Sequence, residues 1–147
     1  MKILFRAKRI DDGEWVEGYV SKPGFTDVEG NIESYFFNAV DKLGWTSECE
    51  VSAETVCEYT GMPDKNGRKI FENDIVKGLA YSTYFIGYIV WIDAIAGFGV
   101  RYFNRHREPT AWENSSILKA IQKWKQPNEF QAEIIGNIFD NPKLLGD

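Results

Sequence analysis

Short stretches of alternating side-chain character, each closed by a cluster of Gly, Asn, Asp or Pro, run through most of this chain. No other feature constrains its fold as strongly. "KILFRAKR", residues 2–9, sets Ile3, Phe5 and Ala7 on one face, the period-two mark of a half-buried strand. "DDG", residues 11–13, is a tight turn, and "EWVEGYV" alternates again, so residues 2–20 are predicted to form a β-hairpin. "SKPGF" and "VEGN" supply further turns around the aromatic strand "IESYFFNAV", residues 32–40. "DKLGWTSECEVSAE", residues 41–54, has weak periodicity and reads as a loop with short extended pieces. "TVCEYT" reads as a strand, with "SAET" as an alternative helical turn capped by Ser52. "DIVKGLAY", "FIGYIVWI" and "FGVRYF" form a three-strand meander, and "AEIIGNIFDN" is a last strand before the turn "NPKLL".

One segment departs from the β pattern. In "SSILKAIQKWK", residues 115–125, Ile117, Leu118, Ile121 and Trp124 share a helical face. Ser115 or Ser116 caps it, Lys123 and Lys125 suit its last turn, and Pro127 ends it. The predicted fold class is therefore mainly β, all-β or α+β. Small SH3-like or barrel-like antiparallel sheets carry one short helix in the C-terminal half. One domain over residues 1–147 is expected, with two small β lobes as a variant and a soft boundary near 60 or at 104–110. An aromatic share of 15% fits pleated surfaces.

Charge and cysteines narrow the classes. Residues 1–73 hold 9 Lys/Arg against 14 Asp/Glu, and residues 74–147 hold 8 against 8, so the whole net charge of −5 lies in the first half. A general nucleic-acid coat would be basic. Cys49 and Cys57 have neither zinc spacing nor a second pair and are expected as reduced packing residues. The start lacks an apolar signal core, and no run nears the roughly 20 apolar residues of a membrane span. A soluble, cytoplasmic location is the expectation, with no membrane partner.

Catalytic constellations are sparse. "GLAYSTYFIG" lacks the Gly-Lys-Ser/Thr of a phosphate loop, and "GFG", residues 97–99, lacks a third glycine and a following helix. No cofactor is expected. His106, the only histidine, sits between Arg105 and Arg107, which disfavour the imidazolium that base catalysis would form. Carboxylates are available at Asp11/Asp12, Glu48/Glu50, Asp64, Glu72/Asp74, Asp93 and Glu133, but turn chemistry already accounts for most of those positions. A carboxylate-based hydrolase is the third function considered. A single-stranded nucleic-acid module is the second, resting on Arg101, Arg105, Arg107, Trp112, Lys119, Lys123 and Trp124 in the basic–aromatic region 101–125.

"ETVCEYTGMPDKNGRKIFENDIV", residues 54–76, combines a Thr55-Val56 to Tyr59-Thr60-Gly61 strand, an Asp64-Lys65-Asn66-Gly67 turn and an Ile70-Phe71-Glu72 to Asp74-Ile75-Val76 strand. Asn66-Gly67 is expected to form a type I′ turn, which needs positive φ at both central residues. This combination resembles the signature of the YopX family, small proteins of phages and prophages. "ILFRAKRIDDGEWVEG" resembles the family's opening, "GYIVWIDAIAGFGVR" its middle and "EIIGNIFDNPKLL" its close, so the likeness spans nearly the whole chain. Lys8 stands where an aromatic is common and Cys57 where a glycine is, and residues 104–130 match nothing in the pattern. The resemblance implies a predominantly β phage-type protein and no assigned catalytic residue. The leading expectation is a non-enzymatic accessory protein acting by binding or homo-oligomerisation, with β edges and aromatics as the means.

Overall fold

The structure, a computed structural model, describes residues 3–80, 83–102 and 132–146. The predicted helix 115–125 lies outside them. Ten strands are described: β1 (Phe5–Lys8), β2 (Trp15–Pro23), β3 (Ser34–Val40), β4 (Thr46–Ser52), β5 (Cys57–Pro63), β6 (Lys69–Phe71), β7 (Asp74–Ala80), β8 (Thr83–Ile92), β9 (Gly97–Tyr102) and β10 (Glu133–Asn137). The pairings are antiparallel, in the orders β4-β3-β2-β1-β5-β6 and β10-β7-β8-β9. The chain divides into two compact units between Tyr59 and Thr60. It is mainly β, as the alternation dictates.

In the first unit, β1 to β4 form a meander, and β5 returns to pair with β1 through Phe5↔Glu58 and Arg6↔Cys57. An Arg9↔Val51 bridge and a 3.1 Å bond from Ile10 N to the Glu50 carbonyl bring the end of β1 onto β4. The meander thereby curls into a small SH3-like barrel, with a 3-10 turn at Ala53–Thr55 before β5. Alternation puts Ala7, Phe37 and Val51 at its centre, fully buried, with Phe5, Val16, Tyr35, Cys49 and Val56 packed around them. Thr55, 4% exposed, ties the 3-10 turn to β1. Its hydroxyl accepts from Lys8 N at 2.9 Å and donates to the Ser52 carbonyl at 2.8 Å. Ser52 occupies the N-cap position without a side-chain cap bond.

The second unit is built on the β7–β8–β9 meander, with β10 added along β7. Val76, Ile89 and Val100 are buried from its successive strands, with Ile70, Phe71, Ile75 and Ile134. The tight link from β6 to β7 holds Asn73 at φ 69°. Asp74, 1% exposed, accepts Phe71 N on Oδ2 at 2.8 Å, so this acid caps a backbone amide at the strand start. Asn73 N donates to the Ile89 carbonyl and the Asn73 carbonyl accepts from Ile138 N, so this turn fastens β8 and the end of β10.

Two expectations are corrected. Residues 46–52 form a full strand rather than loop pieces, since β3 pairs with all seven of them from Thr46 to Ser52. The Asn66-Gly67 turn is not type I′, because Gly67 has φ 82° while Asn66 does not have positive φ. The closing bond runs from Gly67 N to the Asp64 carbonyl at 3.0 Å, and Asp64 N donates to the Arg68 carbonyl at 2.7 Å. The turn starts one residue earlier than the dipeptide suggested and leaves only its last position left-handed.

That turn occurs three times among the described residues. In "DVEGN", "DKLGW" and "DKNGR" the Asp Oδ1 accepts the backbone N–H of the third and fifth residues, each at 2.9 Å. In each, the glycine N–H returns to the Asp carbonyl, and Gly30, Gly44 and Gly67 have φ of 88°, 84° and 82°. The Asp carboxylate does the work of a backbone partner inside the loop. The copy at Asp27 also takes the Asn31 side-chain amide, and Asn31 holds this carboxyl below the usual aspartate range. The copy at Asp64 differs in burial. Asp64 is 6% exposed, its Oδ2 accepts Ile134 N at 3.1 Å, and Lys65 N donates to the Ala132 carbonyl at 2.9 Å. One carboxylate thus shapes a turn and registers β10.

The turn assignment predicts that Gly67→Ala, forced into left-handed backbone, lowers stability by about 1–2 kcal/mol in chemical denaturation. Asn66→Ala should be near neutral; equal losses at both positions would restore the type I′ geometry. Asp64→Asn keeps a single acceptor oxygen for three amides and should cost about 1–3 kcal/mol. Hydrogen exchange at the Ile134 amide should rise with it. The same change at Asp27, which holds only its own loop, should leave the denaturation midpoint close to wild type, and parity between the two would refute the second role of Asp64.

Candidate functional site

Of the residues expected to bind nucleic acid in the region 101–125, only Arg101 is among the described residues. Arg105, Arg107, Trp112, Lys119, Lys123 and Trp124 lie outside the described residues, as does His106. Arg101 is exposed on β9 directly opposite Tyr88, with its guanidinium 6.0 Å from the Tyr88 ring centroid. Further along the same strand pair, Trp91 and Phe98 meet edge to face at 5.2 Å.

A second cation–aromatic layer lies on the first unit, where sequence reasoning did not look. The alternation that buries Phe5 and Ala7 turns Arg6 and Lys8 to the opposite face of β1, across from Glu17 and Trp15. The Arg6 guanidinium sits 4.7 Å and the Lys8 ammonium 5.4 Å from the Trp15 ring centroid. Lys22 lies 5.1 Å from Phe36. Such pairs cover ring faces with cations of the same sheet.

Of the carboxylates considered for hydrolysis, Glu48 is exposed and Glu72 half-buried; the others are placed as follows. Asp11 and Asp12 flank Arg9 at 2.7 and 3.6 Å. The hydrogen bond between Arg9 and Asp11 raises the guanidinium pKa further and lowers that of the Asp11 carboxyl. Glu50 Oε2 accepts the Ser34 hydroxyl at 2.7 Å, Asp93 accepts Trp91 Nε1 at 2.8 Å, and Glu133 lies 3.5 Å from Lys65. Asp64 and Asp74 hold backbone amides. Each of these groups has structural work. Burial pushes the Cys49 thiol up, and the buried Cys57 donates to the Thr55 carbonyl at 3.2 Å, neither of which favours a thiolate. Among the described residues no group of three His, Cys, Asp or Glu could hold a metal ion, and no helix is long and apolar enough to cross a membrane.

What the fold does present is exposed apolar surface, concentrated in one unit. Among the described residues, nine large hydrophobic side chains of residues 3–59 are exposed, against Trp91 and Leu144 elsewhere. They group at loops. Leu43 and Trp45, 83% and 74% exposed, crown the β3–β4 turn. Both of their amides are held by Asp41 Oδ1, so the tip is fixed rather than frayed. Ile10, Phe25, Val28 and Ile32 are exposed on the β1–β2 and β2–β3 connections. A signal for them was present in the sequence. An apolar residue inside a D-x-x-G loop, such as Val28 or Leu43, has no strand face through which to reach a core.

Comparison with known proteins supports this architecture. The crystal structure of protein EF1440 from Enterococcus faecalis matches over 99% of both chains at 23% identity with a TM-score of 0.52, a likeness of fold. No curated protein matches the chain. The family model described as YopX protein matches residues 4–146, which takes in both units and the signature around Asp64; the chain belongs to the YopX family.

Proposed function

We propose that this chain is a non-enzymatic accessory protein of a phage or prophage, working in the bacterial cytoplasm, that acts by binding and self-association. The observation that carries this reading is the Leu43–Trp45 tip. Two large apolar side chains stand exposed on a turn whose backbone is already fixed by Asp41. Pre-ordered anchors of this kind lose little conformational entropy on association, and Trp is among the strongest contributors at interfaces. The structural commitments of the carboxylates favour binding over hydrolysis. The family likeness supports the phage setting.

Light scattering after size-exclusion chromatography tests self-association. The mass of the wild-type chain should rise with concentration. A Leu43→Ser/Trp45→Ser variant should need about tenfold more protein to reach the same mass. A wild-type chain that stays monomeric at the highest attainable concentration overturns self-association.

Single-stranded nucleic-acid binding is the second reading, favoured by the exposed Arg101 guanidinium over Tyr88. It requires a gel shift with single-stranded DNA that weakens as salt rises and is lost on charge reversal at Arg105, Lys119 and Lys123. Binding indifferent to either would remove it.

A further inference from the structure

One end of the first unit carries a charge that the rest of the chain does not share. The β1–β2 connection, the β2–β3 connection and the 3-10 turn converge there on Glu33, Ser34 and Glu50. Ile10 N donates to the Glu50 carbonyl at 3.1 Å, and Ala53 N donates to the Glu33 carbonyl at 3.0 Å. The Ser34 hydroxyl donates to Glu50 Oε2 at 2.7 Å and accepts Phe25 N at 2.7 Å. Glu50 is therefore a half-buried residue whose carbonyl holds the Ile10 amide and whose carboxylate is linked through the Ser34 hydroxyl to the Phe25 amide; Ile10 and Phe25 are 53% and 69% exposed.

Residues 9–14, 24–34 and 50–55 contain eight Asp/Glu and a single Lys/Arg, a net charge of −7. The whole chain is −5, so everything else sums to +2. The one cation, Arg9, is already clamped by Asp11 and Asp12. Among these acids stand four exposed apolar side chains, Ile10, Phe25, Val28 and Ile32. Solubility alone would be met by the charges without the apolar groups. The combination has the chemistry of a contact surface whose partner supplies both cations and apolar side chains.

We propose that this loop end of the first unit, centred on Glu50, Ile10 and Phe25, docks a basic, apolar peptide segment of another protein. Nucleic acid is disfavoured because a polyanion would meet the −7 field. A second copy is disfavoured because a symmetric contact would set the same acidic end against itself. A Lys or Arg beside Glu50 would gain a charge-assisted bond in a partly desolvated place, and neighbouring aliphatic groups would cover Phe25 and Ile10. This proposal rests on the reading that the chain acts by binding, but it uses the opposite end of β3 from the Leu43–Trp45 tip.

The test is fluorescence anisotropy with the full chain and three short labelled peptides, alternating Lys/Leu, Lys/Ser and Glu/Leu. The Lys/Leu peptide should bind, weaken at high salt, and shift amide resonances of residues 9–14, 24–34 and 50–55. The Lys/Ser peptide should bind about tenfold more weakly, and the Glu/Leu peptide should not bind. Phe25→Ser and Glu50→Gln should each weaken Lys/Leu binding about tenfold. Phe25 is exposed, so its variant reports on the surface without a folding change. Equal affinity for Lys/Leu and Lys/Ser, indifference to Phe25→Ser, or no binding at all overturns the proposal. The Leu43→Ser/Trp45→Ser variant should bind the Lys/Leu peptide as wild type does. Loss of the peptide site with self-association intact would sink only this surface, and the converse would sink only self-association.

Discussion

The Asp64 carboxylate is the interaction on which the second unit hangs. One oxygen closes the loop between β5 and β6 through the amides of Asn66 and Arg68; the other accepts the amide of Ile134 at the start of β10. Β10 is the strand most distant in sequence from the β7 it pairs with, and sheet pairing over such a separation has to offset loop-closure entropy. A buried carboxylate that accepts three backbone N–H groups gains a charge-assisted bond from each, and two of the three close the loop that presents it. Register in β10 then follows from a fixed point rather than from its short apolar pattern alone.

The same logic runs through the whole segment from Thr55 to Asp74. Thr55 satisfies Lys8 N and the Ser52 carbonyl; Thr60 donates to the Ile70 carbonyl at 2.8 Å and accepts Met62 N; Asp64 and Asp74 hold amides at two turns. These polar side chains stand where the chain leaves one strand for another and its backbone groups would otherwise go unpaired. A stretch dense in Thr, Asp, Asn and Gly resembles an active-site loop in composition. Its polar groups are here spent on the backbone, and the exposed apolar side chains among the described residues stand mostly on the loops of residues 3–59.

Those loops show how one device serves two purposes. The D-x-x-G turn is a self-contained unit that needs no core contact, because its Asp supplies the missing acceptor. Its middle positions are therefore open to any side chain. At Lys65-Asn66 they are polar; at Val28 and Leu43 they are apolar and exposed. The fold tolerates these residues, and the cost of displaying them to water is the physical reason to connect them with binding.

Alternation and turn residues, read locally, determined the mainly β class, the first hairpin, the meander 74–102 and the family, because strand period and turn chemistry are properties of neighbouring residues. The recurrence of D-x-x-G was also legible, but the pull of Asn66-Gly67 as a hairpin dipeptide drew the turn one residue too far along. Residues 46–52 looked irregular because Glu48 and Glu50 alternate with small residues rather than with large apolar ones, and only pairing with β3 makes them a strand. Tertiary structure alone decided that Asp64 is buried and holds Ile134, and that Ile10, Phe25 and Glu50 meet at one end. Each depends on residues far apart in the chain, and separations of that length carry no local periodicity from which contact can be read.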